Sequence, residues 1–512
     1  MHNRQTSTYN TGNRITADEL IALCNPISVN GTLPGRIGAL CTDSRDVQEG
    51  DLFIAVRGVT YDGHDYIEEA AGRGAFVIIA MTEPVQHKNK PAWVQVQNTR
   101  RLLGPLAQAV YGDPAQKLKL IGVTGTNGKT TTATLIWQIL NSAGYGPSLL
   151  STVIRQVGGE SLPSRLTTPD PIELASDMRR AVDAGSDVLV MEVSSHALDQ
   201  ERVSGVHFET ALFMNLSHDH LDYHGSMESY LQAKKVLFDT LDQDATAIIY
   251  ADDPVSTQMT ADCTARVNRF GFSTESAVDT KCELIQSDAN GMEIRVGDHV
   301  VRTPLVGRFN ASNVAAASLA CRTVGLGWDQ IVEGVLHATG APGRMERVVP
   351  TMAEGKHPTV IVDYAHTPDA LYNVARTLYE LKRKEDTLTL VFGCGGDRDR
   401  AKRPEMAKAA EKWADRIVVT SDNPRSESPE SIIGDIMNGF NPDTKVRVEP
   451  DRKVAIEEAI LQSDGRGVIL IAGKGHETWQ DVGGKRYPFD DRLVARQALE
   501  GRIEAKNRNG GV

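Results

Sequence analysis

Short apolar runs alternate with polar, glycine-containing segments along most of the chain. In its middle, residues 118–124 form an apolar run that ends in a Gly-rich turn, and residues 130–142 follow with helical spacing. Bounded apolar runs of this length predict buried strands. Further runs of the same kind lie at 187–193, 211–215 and 247–250. Strands that alternate with helices predict βαβ units and a mostly parallel sheet.

The regions before and after this stretch carry related patterns. Residues 16–110 mix short apolar runs with turn residues, which predicts a small α/β domain. From residue 347 onwards, each apolar run is followed by a polar segment containing Gly or Pro. If these runs are parallel strands, the polar segments lie at their carboxyl ends, where open parallel sheets bind ligands. The runs are 51–56 and 75–80 in the first region, and 360–363, 388–392, 417–420 and 468–472 in the last.

These patterns predict an α/β protein of three domains. We expect a small N-terminal α/β domain (1–110), a central P-loop ATPase-like parallel-sheet domain (111–346) and a C-terminal Rossmann-like domain (347–512). The segment 340–346, G-A-P-G-R-M-E, is the predicted hinge before the last domain. A length of 512 residues agrees with several domains, because a single hydrophobic core rarely serves so long a chain.

Composition narrows the classes of partner. A net charge of -12 argues against nucleic acid, whose phosphates are bound by clustered Lys and Arg. No apolar run approaches the ~18 residues that a membrane span needs, and residues 1–15 are polar, so neither membrane insertion nor a signal peptide is expected. The six cysteines form no C-x-x-C pair, which argues against a zinc site or disulfide framework. We therefore expect a cytoplasmic monomer, with irregular polar tails at 1–14 and 506–512.

A Gly-rich loop gives the strongest chemical signal. The segment T-G-T-N-G-K-T-T at 124–131 follows a predicted strand and opens a predicted helix. Glycines let successive backbone N–H groups face phosphate oxygens, Lys129 adds a charge, and the Thr130 hydroxyl is suited to Mg²⁺. The strict pattern requires Gly six residues before the lysine, where this chain has Val123. An ordinary strand-to-helix turn is the alternative, which the K-T-T after the last glycine disfavours.

Three residues beyond the loop are candidates for metal binding. Glu192 ends an apolar run and His220 closely follows another, although a strand-end Glu is most often a cap or an ion-pair partner. Lys234 lies on the apolar face of a predicted helix, where a lysine commonly extends its amine to solvent. Burial instead favours the neutral amine, which adds CO₂ to become a carbamate, an anionic oxygen donor suited to Mg²⁺.

The loop resembles the ATP loop of the Mur ligase family, and further motifs follow in the family's order. Resemblance implies an ATP-dependent amide ligase in peptidoglycan precursor synthesis, with Mg²⁺ held partly by Glu192, His220 and a carbamylated Lys234. These three, with Lys129, are the expected catalytic residues. The motifs are M-E-V-S-S-H at 191–196, N-L-S-H-D-H-L-D at 215–222, G-R-F-N-A-S-N at 307–313 and D-Y-A-H at 363–366. The implied ATP contacts are Gly125, Thr126, Asn127, Gly128, Lys129, Thr130, Thr131, Asn313 and Arg344, with Asn310 nearby.

The same resemblance implies the substrates. D-N-P-R at 422–425 resembles the diaminopimelate signature of tripeptide-forming Mur ligases, and the Arg425 fork suits the extra carboxylate that separates diaminopimelate from lysine. By itself this tetrapeptide is a common turn. Implied diaminopimelate contacts are Arg398, Asp422, Asn423, Pro424, Arg425, Gly473 and Glu477. Implied contacts to UDP-N-acetylmuramoyl-L-alanyl-D-glutamate are Thr42, Ser44, Thr167, Thr168, Ser194, Gln200 and Arg202.

The expected reaction is therefore addition of meso-diaminopimelate to the UDP-linked muramyl dipeptide through an acyl phosphate. A lysine-adding or folylpolyglutamate-forming ligase is the nearest alternative. A nucleotide-dependent switch or an inactive ATP-binding scaffold is the alternative from another class. The presence of Lys129, Glu192, His220 and Lys234 favours catalysis.

Overall fold

The computed structural model describes residues 15–58, 61–83, 91–275, 277–288, 291–351 and 357–509. Tails were expected at 1–14 and 506–512. Residues 1–14 and 510–512 lie outside the described ranges, and residues 506–509 belong to the last helix. The chain divides into two compact units: residues 1–270, 277–279 and 319–326 form the first, and 271–276, 280–318 and 327–512 form the second.

The N-terminal part of the first unit is a small sheet with helices. Its strand order is β1-β5-β4-β3-β2, in which β1 is antiparallel and the others are parallel. Strands β3 and β4 are fully buried, as the apolar runs predict. The elements are α1 (Ala17–Cys24), β1 (Ser28–Asn30), β2 (Leu40–Cys41), β3 (Leu52–Ile54), α2 (Ile67–Gly72), β4 (Val77–Ala80), β5 (Ala92–Gln95) and α3 (Thr99–Val110).

The rest of the first unit is a larger sheet. The elements are β6 (Lys119–Thr124), α4 (Lys129–Ser142), β7 (Ser148–Leu150), β8 (Arg155–Val157), β9 (Glu160–Leu162), α5 (Pro171–Asp183), β10 (Val188–Glu192), α6 (Ser195–Asp199), β11 (Thr210–Phe213), α7 (Leu221–His224), α8 (Met227–Asp239), β12 (Thr246–Tyr250), α9 (Ser256–Met259) and β13 (Arg266–Gly271). Strand order is β13-β12-β11-β6-β10-β7-β8-β9, parallel from β13 to β7. The last two strands are antiparallel.

Register brings the predicted site residues to one edge of this sheet. Glu192 at the end of β10 lies opposite Val123, and Phe213 at the end of β11 lies opposite Thr124. The loop that follows β6 therefore begins between the carboxyl ends of two neighbouring strands. Helix α3 of the small sheet packs on the larger one, where Gly104 lies against the carbonyl of Ser204 with no room for a Cβ.

The second unit begins with an antiparallel meander that the sequence patterns did not predict. Its strands pair β14 with β15 and β15 with β16. Helix α10 follows, and the boundary between the units falls within it. The elements are β14 (Thr280–Asp288), β15 (Gly291–Val296), β16 (His299–Thr303), α10 (Arg308–Thr323) and α11 (Trp328–His337).

The remainder of the second unit is a doubly wound sheet. Its order is β17-β18-β22-β19-β20-β21, with only β17 antiparallel among these strands. Buried side chains of α12, α13 and α14 cover one face and those of α15 and α16 the other. The elements are β17 (Glu346–Val348), β18 (Thr359–Asp363), α12 (Pro368–Leu381), β19 (Leu388–Phe392), α13 (Lys402–Trp413), β20 (Arg416–Val419), α14 (Pro429–Met437), β21 (Val446–Val448), α15 (Arg452–Leu461), β22 (Val468–Ala472), β23 (Trp479–Val482), β24 (Lys485–Pro488) and α16 (Asp491–Asn509).

Parallel sheets flanked by helices confirm the predicted α/β class. The predicted central phosphate-loop sheet and the Rossmann-like C-terminal sheet are both present. The domain boundaries at residues 110 and 346, and the hinge at 340–346, stay predictions.

Candidate active site

The Gly-rich loop joins β6 to α4 in a conformation that requires glycine at its start. Gly125 has φ 148°, and a Cβ there would lie 3.0 Å from Met214 Cβ and 3.2 Å from the Asn215 nitrogen. Lys129 folds back over the loop, and its Nζ donates to the carbonyl oxygens of Gly125 and Thr126, both at 2.8 Å. The loop backbone is thus curled at the N-terminus of a 14-residue helix, where anions bind favourably. Thr130 and Thr131 are buried in the first turn of that helix.

Residues after β11 hold the loop in place. The Asn127 N–H donates to Asn215 Oδ1 at 2.8 Å, and Asn215 Nδ2 donates back to the Asn127 carbonyl at 3.1 Å. The Thr126 N–H donates to the Asn215 carbonyl at 2.8 Å, and the Ser217 N–H donates to the Thr126 hydroxyl at 2.9 Å. Sequence reasoning gave Asn215 and Ser217 no role, although their motif was recognised. An asparagine directly after a buried strand was the available signal.

Lys234 lies in α8 as its apolar stripe predicts. The residue is 1% exposed, its Nζ donates to the Gly125 carbonyl at 3.0 Å, and the amine lies 4.6 Å from the Tyr230 ring centroid. Burial, assisted by the positive charge of Lys129, holds the pKa of the Lys234 amine well below its ordinary value. The shift favours the neutral form of this amine. The neighbouring Lys235 is also covered, but its amine pairs with Asp239 at 2.6 Å rather than with the loop.

Glu192 has the features of an oxygen ligand for a hard cation. The side chain is buried, Oε1 accepts the Thr152 N–H at 2.8 Å, and Oε2 is enclosed without a partner among the described residues. An enclosed carboxylate oxygen costs free energy unless a cation or donor reaches it. Glu192 therefore fits Mg²⁺, which prefers oxygen ligands.

His220 has different neighbours from Glu192. It takes φ 52° at the start of α7, and its ring packs against His196 at 4.9 Å and Tyr230 at 6.2 Å between centroids. Tyr230 thus lies beside both His220 and the Lys234 amine. Within the described ranges, no group of three or more His, Cys, Asp or Glu side chains converges as a complete metal site.

Five residues expected to bind the muramyl peptide form one network next to Glu192. Arg202 donates to the Thr168 carbonyl at 3.0 Å and to Gln200 Oε1 at 2.7 Å. The Thr168 hydroxyl donates to the Glu192 carbonyl at 2.9 Å and accepts the Ser194 N–H at 3.1 Å. Thr167 joins through the Thr152 hydroxyl at 3.0 Å.

The two remaining candidates for this substrate lie in the small N-terminal sheet region. Ser44 is buried and donates to Glu69 at 2.8 Å, whereas Thr42 is exposed. Among the described residues, no hydrogen bond joins either of them to the network around Thr168.

The second unit brings the diaminopimelate candidates together at the carboxyl ends of β20 and β22. Asn423 Nδ2 donates to Glu477 Oε2 at 2.8 Å, and Asn423 Oδ1 accepts the Lys474 amine at 3.0 Å. Gly473 lies against Asp422, whose carboxylate would be 2.5 Å from a Cβ at that glycine. Burial raises the pKa of Asp422.

Two arginines flank Gly395 in the same region. A Cβ at Gly395 would lie 2.9 Å from Arg425 Nη1 and 3.7 Å from Arg398 Cγ. Arg425 has φ 51°, donates its N–H to the Asp481 carbonyl at 3.0 Å, and donates Nη1 to the Gly396 carbonyl at 2.8 Å. Arg398 is exposed, and Gly396 packs against the carbonyl of Pro424. The D-N-P-R segment is therefore fixed in part by the β23–β24 hairpin, which the sequence did not predict.

A buried ion pair also supports this site. Arg452 and Asp491 are both fully buried, with Nη2 to Oδ2 at 2.7 Å and Nε to Oδ1 at 2.8 Å. Arg452 donates as well to the carbonyls of Ser421 at 3.4 Å and Ala472 at 3.0 Å. These carbonyls immediately precede the D-N-P-R and G-K-G-H-E segments, so one guanidinium links both.

The ATP candidates of the second unit lie near its β18 strand and α10. Arg344 stacks on the Tyr364 ring at 4.8 Å, and its Nε is buried without a partner among the described residues. Asp363 accepts the Met345 N–H at 2.7 Å, and burial raises the pKa of this carboxyl. Asn313 Nδ2 donates to Asn310 Oδ1 at 2.9 Å, and both are buried.

Gly343 packs directly against the G-K-G-H-E turn. It has φ 65°, and a Cβ there would overlap the His476 nitrogen and lie 2.6 Å from Gly475 Cα. The His476 ring lies 5.2 Å from that of Tyr364. Burial, with the charge of Arg344, lowers the pKa of His476 to about 4.

A curled loop between a buried parallel strand and a helix, with lysine amines beside it, is typical of a nucleotide-binding α/β protein. Three family models match in order: "Mur ligase family, catalytic domain" at 36–111, "Mur ligase middle domain" at 123–321, and "Mur ligase, glutamate ligase domain" at 343–475. The chain belongs to the Mur ligase family, whose members are ATP-dependent amide ligases.

Relatives match over nearly their full length. The UDP-N-acetylmuramoyl-L-alanyl-D-glutamate–2,6-diaminopimelate ligase of Geobacillus kaustophilus is 44% identical over 91% of this chain and 95% of its own. The enzyme of the same name from Cytophaga hutchinsonii is 40% identical over 94% and 98%. A solved structure with that name has 31% identity and a TM-score of 0.72 over 96% and 99%. The Thermotoga maritima MurF ligase in complex with ADP, at 18% identity, shares the fold.

Proposed function

We propose that this protein joins 2,6-diaminopimelate to UDP-N-acetylmuramoyl-L-alanyl-D-glutamate in peptidoglycan precursor synthesis, with ATP as the energy source. The observation that carries the choice of amine is the group of Asn423, Glu477 and Arg425 at one sheet edge. A carboxylate and an arginine fork together suit an amino acid that carries both an ammonium and an additional carboxylate. Relatives that share 44% and 40% identity carry the name of this reaction.

The chemistry requires an activated carboxylate, because a free carboxylate reacts poorly with an amine. We infer that the dipeptide carboxylate attacks the γ-phosphorus of ATP, and that ADP leaves as the acyl phosphate forms. The diaminopimelate amine then attacks the acyl carbon and loses a proton, and phosphate leaves. The loop from Gly125 to Thr131 would hold the ATP phosphates with its backbone N–H groups, and Lys129 would offset their charge.

Mg²⁺ fits the residues at this edge of the sheet. The enclosed Oε2 of Glu192 and the Thr130 hydroxyl are oxygen donors, and His220 and Lys234 are the further candidates. A neutral Lys234 amine that attacks CO₂ forms an N–C bond, releases a proton and becomes a carbamate with oxygen donors. Bound Mg²⁺ would supply charge neutralisation at the phosphates.

Other expectations from the resemblance remain predictions. They include ATP contacts by Asn313 and Arg344, and contacts to the UDP-linked substrate by Thr42, Ser44, Thr167, Thr168, Ser194, Gln200 and Arg202. Monomeric state and cytoplasmic location also stay predictions. Across the described ranges, no helix is long and apolar enough to cross a membrane.

An amino-acid panel tests the proposal. The chain is incubated with ATP, Mg²⁺, the UDP-linked dipeptide and either meso-diaminopimelate, lysine or another amino acid, and products are followed by mass and phosphate release. We expect tripeptide with diaminopimelate, and phosphate release that depends on both the dipeptide and the amine. Preferential use of lysine would contradict the assigned amine, and phosphate release without product would contradict ligation.

A further inference from the structure

Lys474 is a fully buried lysine in the middle of the amino-acid region. It is 0% exposed, directly follows Gly473 after β22, and its Nζ donates to Glu477 Oε2 and to Asn423 Oδ1, each at 3.0 Å. The amine also lies 5.4 Å from the Trp479 ring centroid. A buried ammonium is costly unless such partners surround it. Three separate segments, after β20, after β22 and in β23, therefore meet at this one amine.

The two carboxylate oxygens of Glu477 differ in their contacts. Oε2 accepts both the Lys474 amine and Asn423 Nδ2, at 3.0 and 2.8 Å. Among the described residues no side chain or backbone group donates to Oε1. The carboxylate is thus held through one oxygen, and the other is left for a ligand.

We propose that Lys474 is a positioning residue that fixes Glu477 and Asn423 so that Glu477 Oε1 receives an ammonium group of the amino-acid substrate. The inference rests on the proposed function, since the ligand is the amine of that reaction. Without Lys474, Glu477 would keep only its bond to Asn423 and could rotate toward solvent.

The local charges agree with this role. Asp422, which is buried, and Glu477 provide two carboxylates close to Lys474, and the Lys474 charge acts on both. Arg452 is paired with Asp491 and also acts on Asp422. Lys474 and Arg452 are thus two cations among three carboxylates, those of Asp422, Glu477 and Asp491. A further cation at Glu477 would balance the third carboxylate, and a substrate ammonium has the required sign.

The same unit contains a matched control. Lys382 has a nearly buried side chain, pairs with Asp415 at 3.4 Å, donates to the Asp386 carbonyl at 2.8 Å, and lies 4.6 Å from the Tyr379 ring. Its partners match those of Lys474 in kind. Asp415 immediately precedes β20, so Lys382 lies at the amino-terminal edge of the sheet, opposite the amino-acid region.

The experiment compares KM values in the full-length enzyme. We expect Lys474→Met to raise the KM for diaminopimelate about tenfold or more while the KM for ATP changes less than about twofold, because a hydrogen bond to a charged group is lost at one substrate site only. Lys382→Met should lower the melting temperature without changing either KM. The double variant Lys474→Met/Glu477→Gln should have nearly the same KM for diaminopimelate as Glu477→Gln alone, because Lys474 acts through Glu477.

Unchanged KM for diaminopimelate, an equal rise for ATP, or fully additive effects of the two substitutions would overturn the proposal. If Lys474→Met does not fold, Lys474→Arg replaces it. That variant keeps the charge but changes the donor geometry, and is expected to raise only the KM for the amino acid. If the wild-type enzyme accepts a different amino acid, the proposed function is wrong, and the same cycle measured with that amino acid still decides the role of Lys474.

Discussion

Two lysine amines donate to the same carbonyl oxygen, that of Gly125. Lys129 reaches it at 2.8 Å and Lys234 at 3.0 Å. Two full positive charges so close together in a buried place repel each other, which is part of the reason why the pKa of Lys234 is lowered. The lowered pKa favours the neutral Lys234 amine, which is the form that the proposed carbamate requires.

We predict that Lys234→Ala abolishes most ligation, and that short carboxylic acids added to the assay restore part of it by replacing the carbamate oxygens. Phosphate release, measured with and without the added acid, tests this. Lys235→Ala is the control, because its amine pairs with Asp239 and makes no contact with the loop. Full activity of Lys234→Ala, or loss that no acid restores, would refute the carbamate.

Arg425→Ala should weaken the use of diaminopimelate far more than that of ATP. Loss of a charge-assisted pair with a carboxylate predicts a rise in the amino-acid KM of about 10–100-fold. The exposed Arg447, which pairs with Glu449 at 3.4 Å, gives a control substitution of the same type. Steady-state kinetics with each substrate varied in turn measures the effect, and equal losses for ATP and amine would count against the assignment.

The sequence predicted the burial of a single residue well where that residue belongs to a regular helical or strand spacing. Lys234 was placed by helical spacing, and its burial is confirmed. Lys474 was given no role, because it lies between two glycines where no helical or strand spacing indicates burial. Arg452 was missed for a different reason, since its partner Asp491 lies 39 residues away and no local pattern joins them.

At the scale of elements, the buried strands were predicted best. The strand expected at 388–392 is observed as Leu388–Phe392, and the one at 187–193 as Val188–Glu192. Continuous apolar runs mark strands that are buried on both faces. The β14–β16 meander and the β23–β24 hairpin were missed because they are partly exposed and lack such runs.

The segment around Gly343 gives a prediction at this scale. Gly343→Ala combines a positive φ with overlap against the turn at Gly475 and His476, so we expect a loss of about 3 kcal/mol or more in the free energy of unfolding. Gly484→Ala is the control, since it has φ 75° and open space around the added methyl, and should cost about 1 kcal/mol. Urea denaturation of both variants measures the difference, and equal losses would contradict the close packing.

For the whole molecule, stability against acid depends on groups held away from their ordinary pKa. His476 has a pKa of about 4 in the folded protein, below the ~6.5 of an unfolded histidine. Between these values the unfolded chain binds a proton that the folded chain does not, so the free energy of unfolding falls as pH falls from 6.5 toward 4. Asp177, whose pKa burial raises to about 6, acts in the opposite direction.

We therefore predict that His476→Gln loses less stability than the wild type between pH 7 and pH 5, by about 1–2 kcal/mol after allowance for partial solvent contact. Urea denaturation at the two pH values measures this. Parallel curves for wild type and His476→Gln would show that this histidine is not held neutral by folding.

The buried pair of Arg452 and Asp491 has a consequence for the order in which the chain is made. Arg452 leaves the ribosome 39 residues before the carboxylate that neutralises it. Until Asp491 at the start of α16 emerges, a guanidinium buried against the Ser421 and Ala472 carbonyls would lack the carboxylate that forms its ion pair. We therefore expect the amino-acid region to close fully only after α16 has docked.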